Sequence, residues 1–173
     1  MLSFTSASFA VFLSGAPIVL ASYGIGPRGV GFYIMAVPIS YILGNFLTSR
    51  LIMRLDERRV MQLGQFASVG GLLLLVGLGL AGLKTPLAFA LPLMLLGVGH
   101  GLLMPPSLAG RLGVIPALAG TAAALAGVSQ QLTGALGSYF VGLMPHDGAV
   151  NLGLLMLGFM LAAWGAQMVL QRP

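Results

Sequence analysis

Six long apolar runs leave this chain few ways to fold: Phe4 to Ser22, Gly29 to Thr48, Val60 to Gly82, Pro86 to Pro106, Pro116 to Met144 and Val150 to Leu170. Each approaches or exceeds the ~20 residues with which an α-helix crosses the hydrocarbon of a bilayer. A backbone in lipid must satisfy its own hydrogen bonds, and these runs are continuous rather than alternating. Six transmembrane helices are therefore expected, and a β-barrel is not. Composition agrees, with 6% charged residues and a mean hydropathy of +1.02, against about 25% charged in an ordinary soluble domain. The expected fold is an all-α integral membrane protein, residues 1–173 forming one six-helix transmembrane domain.

The breaks between runs carry turn-forming residues: Tyr23-Gly-Ile-Gly-Pro27-Arg28, Leu83-Lys-Thr-Pro86, Gly110-Arg-Leu-Gly113 through Pro116, and Pro145-His-Asp-Gly148. None is long enough to hold a soluble domain. The first run has a second reading as a signal peptide, because Leu20-Ala-Ser22 resembles a cleavage site. No basic residue precedes Phe4, however, and the run is longer than the apolar core of a signal peptide, so a membrane span is the expectation.

Charge orients the spans. Half of the eight Lys and Arg fall in one stretch, Arg50-Leu-Ile-Met-Arg54-Leu-Asp-Glu-Arg58-Arg59. With the N-terminus inside, Arg50, Arg54, Arg58, Arg59, Arg111 and Arg172 are cytoplasmic, and Arg28 and Lys84 lie outside. That asymmetry predicts cytoplasmic N- and C-termini. The net charge of +5 then belongs beside anionic lipid headgroups and calls for no nucleic-acid partner. The absence of cysteine removes disulfides and thiolate chemistry together.

Small residues indicate close helix packing. Gly97 and Gly101 form a GxxxG pair in the fourth run. Gly158, Ala162 and Ala166 recur at intervals of four in the sixth, and the fifth carries Gly120, Ala124, Gly127, Gly134 and Ser138. Pro17, Pro38, Pro92 and the pair Pro105-Pro106 lie within or at the ends of spans, where kinks are tolerated if neighbours bond the freed carbonyls.

The stretch Ser49-Arg50-Leu51-Ile52-Met53-Arg54-Leu55-Asp56-Glu57-Arg58-Arg59-Val60 resembles the G-R-L-A-D-R-x-G-R-R-x loop between the second and third helices of each half of a major facilitator superfamily transporter. It is a degenerate copy: Ser49 stands for the first glycine, Met53 for the acid and Asp56 for the second glycine, while Arg54, Arg58 and Arg59 keep the basic positions. The segments Pro116 to Leu125 and Gly127 to Leu136 resemble the eleventh helix of bicyclomycin-resistance-type drug:proton antiporters. Ser14 to Leu20 is similar to the end of their seventh helix, and Gly97-Val-Gly-His-Gly101 with Pro105 to their tenth. The ordered set spans nearly the whole chain.

The resemblance implies the C-terminal half, helices seven to twelve, of a proton-coupled carrier for multidrug or metabolite efflux in a bacterial inner membrane. Such carriers move a small molecule by rocking two six-helix halves about a site near the midplane. One half supplies one wall, so the resemblance implies a complementary six-helix half or a second copy as partner. The alternative is a truncated remnant or small membrane subunit with no transport of its own.

Polar residues within the spans are the candidates for substrate binding, because burying them is costly unless they are paired or wet. His100 lies roughly 6 Å beyond the centre of its span toward the cytoplasm. Two roles are open to it: binding substrate or a proton, or donating one hydrogen bond to a facing helix as a neutral ring. Gln130 falls at the centre of the fifth span, with Gln131 about 100° further round the helix, so the pair is not expected to share one surface. Gln130 is expected to face the cavity or to bond between helices. Asn45 and Ser14 are weaker candidates, expected to serve helix packing ahead of ligand binding. Phe9, Phe12, Phe32, Tyr33, Tyr139 and Phe140 suit either an apolar pocket or contact with lipid, while Tyr23 and Trp164 lie toward span ends as interfacial aromatics do.

Enzyme chemistry is not expected. The only acids, Asp56, Glu57 and Asp147, are in loops. Ser107 and Ser129 lack a histidine placed to serve as base at membrane depth. Two histidines without cysteine or clustered acids make a poor metal site, so no metal or other cofactor is expected. Nothing resembles a channel filter.

Overall fold

The structure, a computed structural model, describes residues 1–112, 119–145 and 148–170. Gly113 to Pro116, His146, Asp147 and Arg172 lie outside the described residues, as does the side chain of Arg111. The chain forms α1 (Leu2–Ser22), α2 (Pro27–Leu51), α3 (Glu57–Leu80), α4 (Pro86–Leu112), α5 (Ala119–Leu143) and α6 (Ala149–Leu170).

Five of these helices are long and apolar enough to cross a membrane, and by that measure the chain is a multi-pass membrane protein in contact with lipid. The exception is α5. It has the length of a span, but Ser129, Gln130, Gln131 and Thr133 occupy its middle and lower its hydropathy. The expectation of six apolar spans is thus met by six helices and five clearly apolar ones.

Local sequence sets the helix ends. Gly24 and Gly82 both have φ of +78°, the left-handed conformation that glycine adopts without a Cβ clash. Each closes its helix with a carbonyl-capping pair. Ile25 N–H donates to Leu20 O and Gly24 N–H to Ala21 O; Leu83 N–H donates to Leu78 O and Gly82 N–H to Gly79 O. Pro27 opens α2 and Pro86 opens α4, where a missing N–H costs nothing. The Thr85 hydroxyl accepts from Ala88 N–H at 3.2 Å. The N-cap of α3 is Asp56, followed by Glu57 in its first turn, both favourably placed near the positive end of a helix dipole. The fourth helix departs from expectation by running through Pro105 and Pro106 to Leu112.

Short turns at 23–26, 52–56 and 81–85 reverse the chain, so α1 to α4 alternate in direction. Pairing is regular: α4 packs between α2 and α3, α1 packs between α5 and α6, and α3 meets α6. Exchanging α1 with α4, α2 with α5 and α3 with α6 reproduces the same set of pairings. The apolar core, including Phe12, Leu20, Leu72, Leu93, Leu96, Met156 and Met160, comes mainly from α1, α3, α4 and α6. Because lipid is as apolar as leucine, close fit rather than water exclusion holds such a core together.

Glycine provides that fit in α4. A Cβ on Gly101 would lie 2.5 Å from Tyr41 O and 2.7 Å from Gly44 Cα, and one on Gly97 would lie 2.7 Å from Val37 O, so both press on α2. Gly99 points the other way, with Gly64 O of α3 at 2.6 Å and Ser68 Oγ also in contact. One glycine-rich turn thus seats α4 against two helices.

The other small-residue patterns behave differently. Among the described residues, nothing lies within 4 Å of a Cβ position on Gly120 and Gly127 of α5 or Gly158 of α6, and Ala124 and Ala162 are exposed. Among the described residues these positions are not used for packing, so the expected row of α5 serves only in part. The expected positions Gly134, against Ala10, and Ser138, bonded to Ser14, do carry contacts of α5, as does Gly137 against Val11.

Candidate functional site: a cavity between α1, α2, α4 and α5

A cavity of about 460 Å3 opens where the two packed groups of helices meet. It is lined by Ser6, Phe9, Ala10 and Leu13 from α1, Pro38 and Tyr41 from α2, His100 and Met104 from α4, and Gln130 and Gln131 from α5. Its size lies in the range of small-molecule sites, which are mostly apolar with a few placed polar groups. The geometry follows from the pairing above. Since α2 and α5 each pack on one main neighbour, α4 and α1 respectively, the space between them is left open.

His100 is buried at the cavity wall, 3% exposed. Its Nδ1 lies 3.0 Å from Leu96 O and its Nε2 lies 3.0 Å from Thr5 O on α1. Both nitrogens are occupied by main chain, so the ring offers a ligand shape rather than a free hydrogen bond. The Phe9 ring lies beside it with centroids 6.3 Å apart.

Gln130 and Gln131 both line the cavity, which corrects the expectation that they cannot share a surface. Their Cα–Cβ vectors diverge, but the cavity is wide and a glutamine side chain is long enough to reach its rim from either position. Among the described residues neither amide bonds to another side chain or to main chain, and the same holds for Ser6 Oγ and Tyr41 OH. These groups are free to meet a ligand. None of the lining residues carries a formal charge.

Ser14 and Asn45 lie elsewhere. Ser14 Oγ donates to Ser138 Oγ at 2.8 Å, joining α1 to α5. Asn45 sits where α2 approaches Gly101, and its Oδ1 is buried with no hydrogen-bond partner among the described residues. Of the aromatic candidates, Phe9 reaches the cavity, Phe12 belongs to the core, and Phe32, Tyr139 and Phe140 are exposed on the outer surface. Tyr23 OH accepts from Ala149 N–H at 3.2 Å. Trp164 packs edge-on against Phe66, centroids 5.2 Å apart. The arginines at 50, 54, 58 and 59 are exposed around the α2–α3 turn, with Arg50 over the Phe46 ring at 5.3 Å.

Sequence reasoning missed Ser6, Leu13, Tyr41 and Met104 in the cavity, and a polar pair outside it. Gln65 of α3 donates from Nε2 to Gln167 Oε1 of α6 at 3.0 Å, both residues buried. Two amides isolated in apolar runs were the available signal.

No protein family, no curated protein and no solved structure matches the chain. Functional assignment therefore rests on its own residues and geometry.

Proposed function

We propose that the chain is one six-helix half of a secondary carrier that moves small, largely apolar molecules across a membrane. The observation that carries this reading is the 460 Å3 cavity, walled by four helices and furnished with uncommitted amide and hydroxyl groups. Two features support it. The paired helix triplets repeat one set of contacts, as inverted repeats of carriers do around a site near the midplane. The ordered motifs, with Arg50, Arg54, Arg58 and Arg59 in the turn after the second helix, resemble the C-terminal half of a major facilitator efflux carrier of the drug:proton antiport type. On this reading the protein is not an enzyme. It sits in a bacterial inner membrane with both termini cytoplasmic, and a complementary half or a second copy closes the cavity.

A second reading, a remnant or small membrane subunit without transport of its own, is favoured by one observation: among the described residues, none covers the broad outer faces of α2 and α5. Reconstitution separates the two. Proteoliposomes holding the chain, alone and co-expressed with any adjacent six-span polypeptide, are loaded with a neutral lipophilic dye under an imposed pH gradient. Saturable dye movement supports the carrier. Absence of both saturable binding and flux in every preparation overturns it.

A further inference from the structure

The two nitrogens of His100 face two main-chain carbonyl oxygens at 3.0 Å, Leu96 O on its own helix and Thr5 O across on α1. Carbonyls only accept. A neutral imidazole has one N–H and one lone pair, so it can donate to either carbonyl but not to both, and the second contact sets lone pair against lone pair. An imidazolium donates to both.

The surroundings make that difference matter. On its α2 and α3 sides, α4 is clamped through Gly97, Gly99 and Gly101. Toward α1 its packing is sparse. Among the described residues, the bond from His100 to Thr5 is the one hydrogen bond that joins α1 to α4. The ring also lines the 460 Å3 cavity, which is large enough to hold water and so gives a proton a way in.

We propose that His100 is a proton-binding site that latches α1 to α4 at the cavity wall. A proton from cavity water adds to the nitrogen that carries the lone pair, and the cation then donates to Thr5 O and Leu96 O together. When the proton returns to water, one of these contacts is lost. Release of the Thr5 contact lets α1 move away from α4 and widens the cavity between Leu13 and Met104. The elements around the ring bring few other titratable groups. From α2 the cavity receives Tyr41; the facing residues of α1 are Thr5, Ser6 and Phe9, those of α5 are Gln130 and Gln131, and α3 presents Gly64 and Ser68 beside Gly99. No carboxylate or basic side chain is among them, so His100 governs the response. The proposal stands whether or not the cavity carries a substrate.

The test uses the full chain in lipid nanodiscs. The sequence has two histidines, so His146→Asn leaves His100 as the sole histidine for 15N labelling. As pH falls from about 8 to about 5, the two ring nitrogens are expected to pass from the split resonances of one tautomer to the paired resonances of an imidazolium. Spin labels at Leu13→Cys and Met104→Cys, introduced without native cysteines to remove, should move apart as pH rises. In His100→Gln that distance should not change with pH. One resonance pattern across the whole range overturns the proposal, as does a pH-dependent distance that persists in His100→Gln. If His100→Gln fails to fold, the nitrogen resonances of the otherwise native chain decide alone.

Discussion

Thr48 of α2 holds its Oγ1 2.9 Å from the carbonyl oxygen of Gly101 on α4. That carbonyl lies four residues before Pro105, which has no N–H to donate to it. The hydroxyl proton, shared with Gly44 O at 3.0 Å, thus meets an acceptor that the proline left open, and α4 continues as helix to Leu112. Thr48→Val, close in shape but without a donor, should destabilise the fold by about 0.5–1.5 kcal/mol. Thr48→Ser should recover most of this loss. Pro105→Ala restores a main-chain donor, so Thr48→Val should cost less in that background. Denaturant titrations in mixed micelles, arranged as a double-mutant cycle, would read the coupling; strict additivity would sink the account.

Glycines of similar appearance should respond in opposite ways. Gly101→Ala puts a Cβ 2.5 Å from Tyr41 O and 2.7 Å from Asn45 N, backbone atoms that cannot rotate aside. Helix α2 must shift, at roughly 1–3 kcal/mol. Gly158→Ala meets nothing within 4 Å among the described residues and should be neutral or slightly stabilising, since alanine is the better helix former. Comparing the two in the same unfolding assay tests whether the glycine contacts, rather than glycine content, hold the bundle.

This contrast shows what the sequence made legible. Helix positions followed from the apolar runs, and the breaks at Gly24 and Gly82 from the turn chemistry of Tyr23 to Pro27 and Leu83 to Pro86, because those signals are local. The GxxxG of α4 and the small-residue rows of α5 and α6 looked alike, since spacing says that a helix can approach another and not whether one is there. The persistence of α4 past Pro105 was hidden because its donor, Thr48, is far away in sequence. Gln131 was misjudged for a related reason: an angular argument about Cβ vectors ignored how wide the cavity is. Ser14 was the weaker polar candidate beside His100, and their neighbours set them apart: Ser14 bonds Ser138, while His100 lines the cavity.

The buried amides at 65 and 167 offer a test of polar pairing in an apolar core. Replacing either one by leucine strands its partner. Gln65→Leu leaves Gln167 Oε1 without its donor, and Gln167→Leu leaves the whole Gln65 amide unpaired, where one oxygen already lacks a partner. Each single change should cost about 1–3 kcal/mol. The double leucine variant should be more stable than the sum of the singles predicts, because no polar group is left behind. Stability equal to that sum would mean that the two amides are not coupled.

The cavity makes the sharpest division among the polar candidates. Gln130 and Gln131 reach it with free amides, while Ser14 is occupied with Ser138. In the cysteine-free chain, Met104→Cys places one thiol on the cavity wall. A neutral lipophilic dye that enters the cavity should slow modification of that thiol by maleimide. Gln130→Ala or Gln131→Ala should raise the dye concentration needed for half protection by about 5–30-fold, the effect of losing about 1–2 kcal/mol from a hydrogen bond to the ligand. Leu13→Trp, which fills the space with an indole, should abolish protection while the thiol stays reactive. Ser14→Ala should leave protection within about twofold, as its hydroxyl bonds another helix and not the cavity. If Ser14→Ala weakened the dye as much as Gln130→Ala does, the cavity would not be where the dye binds.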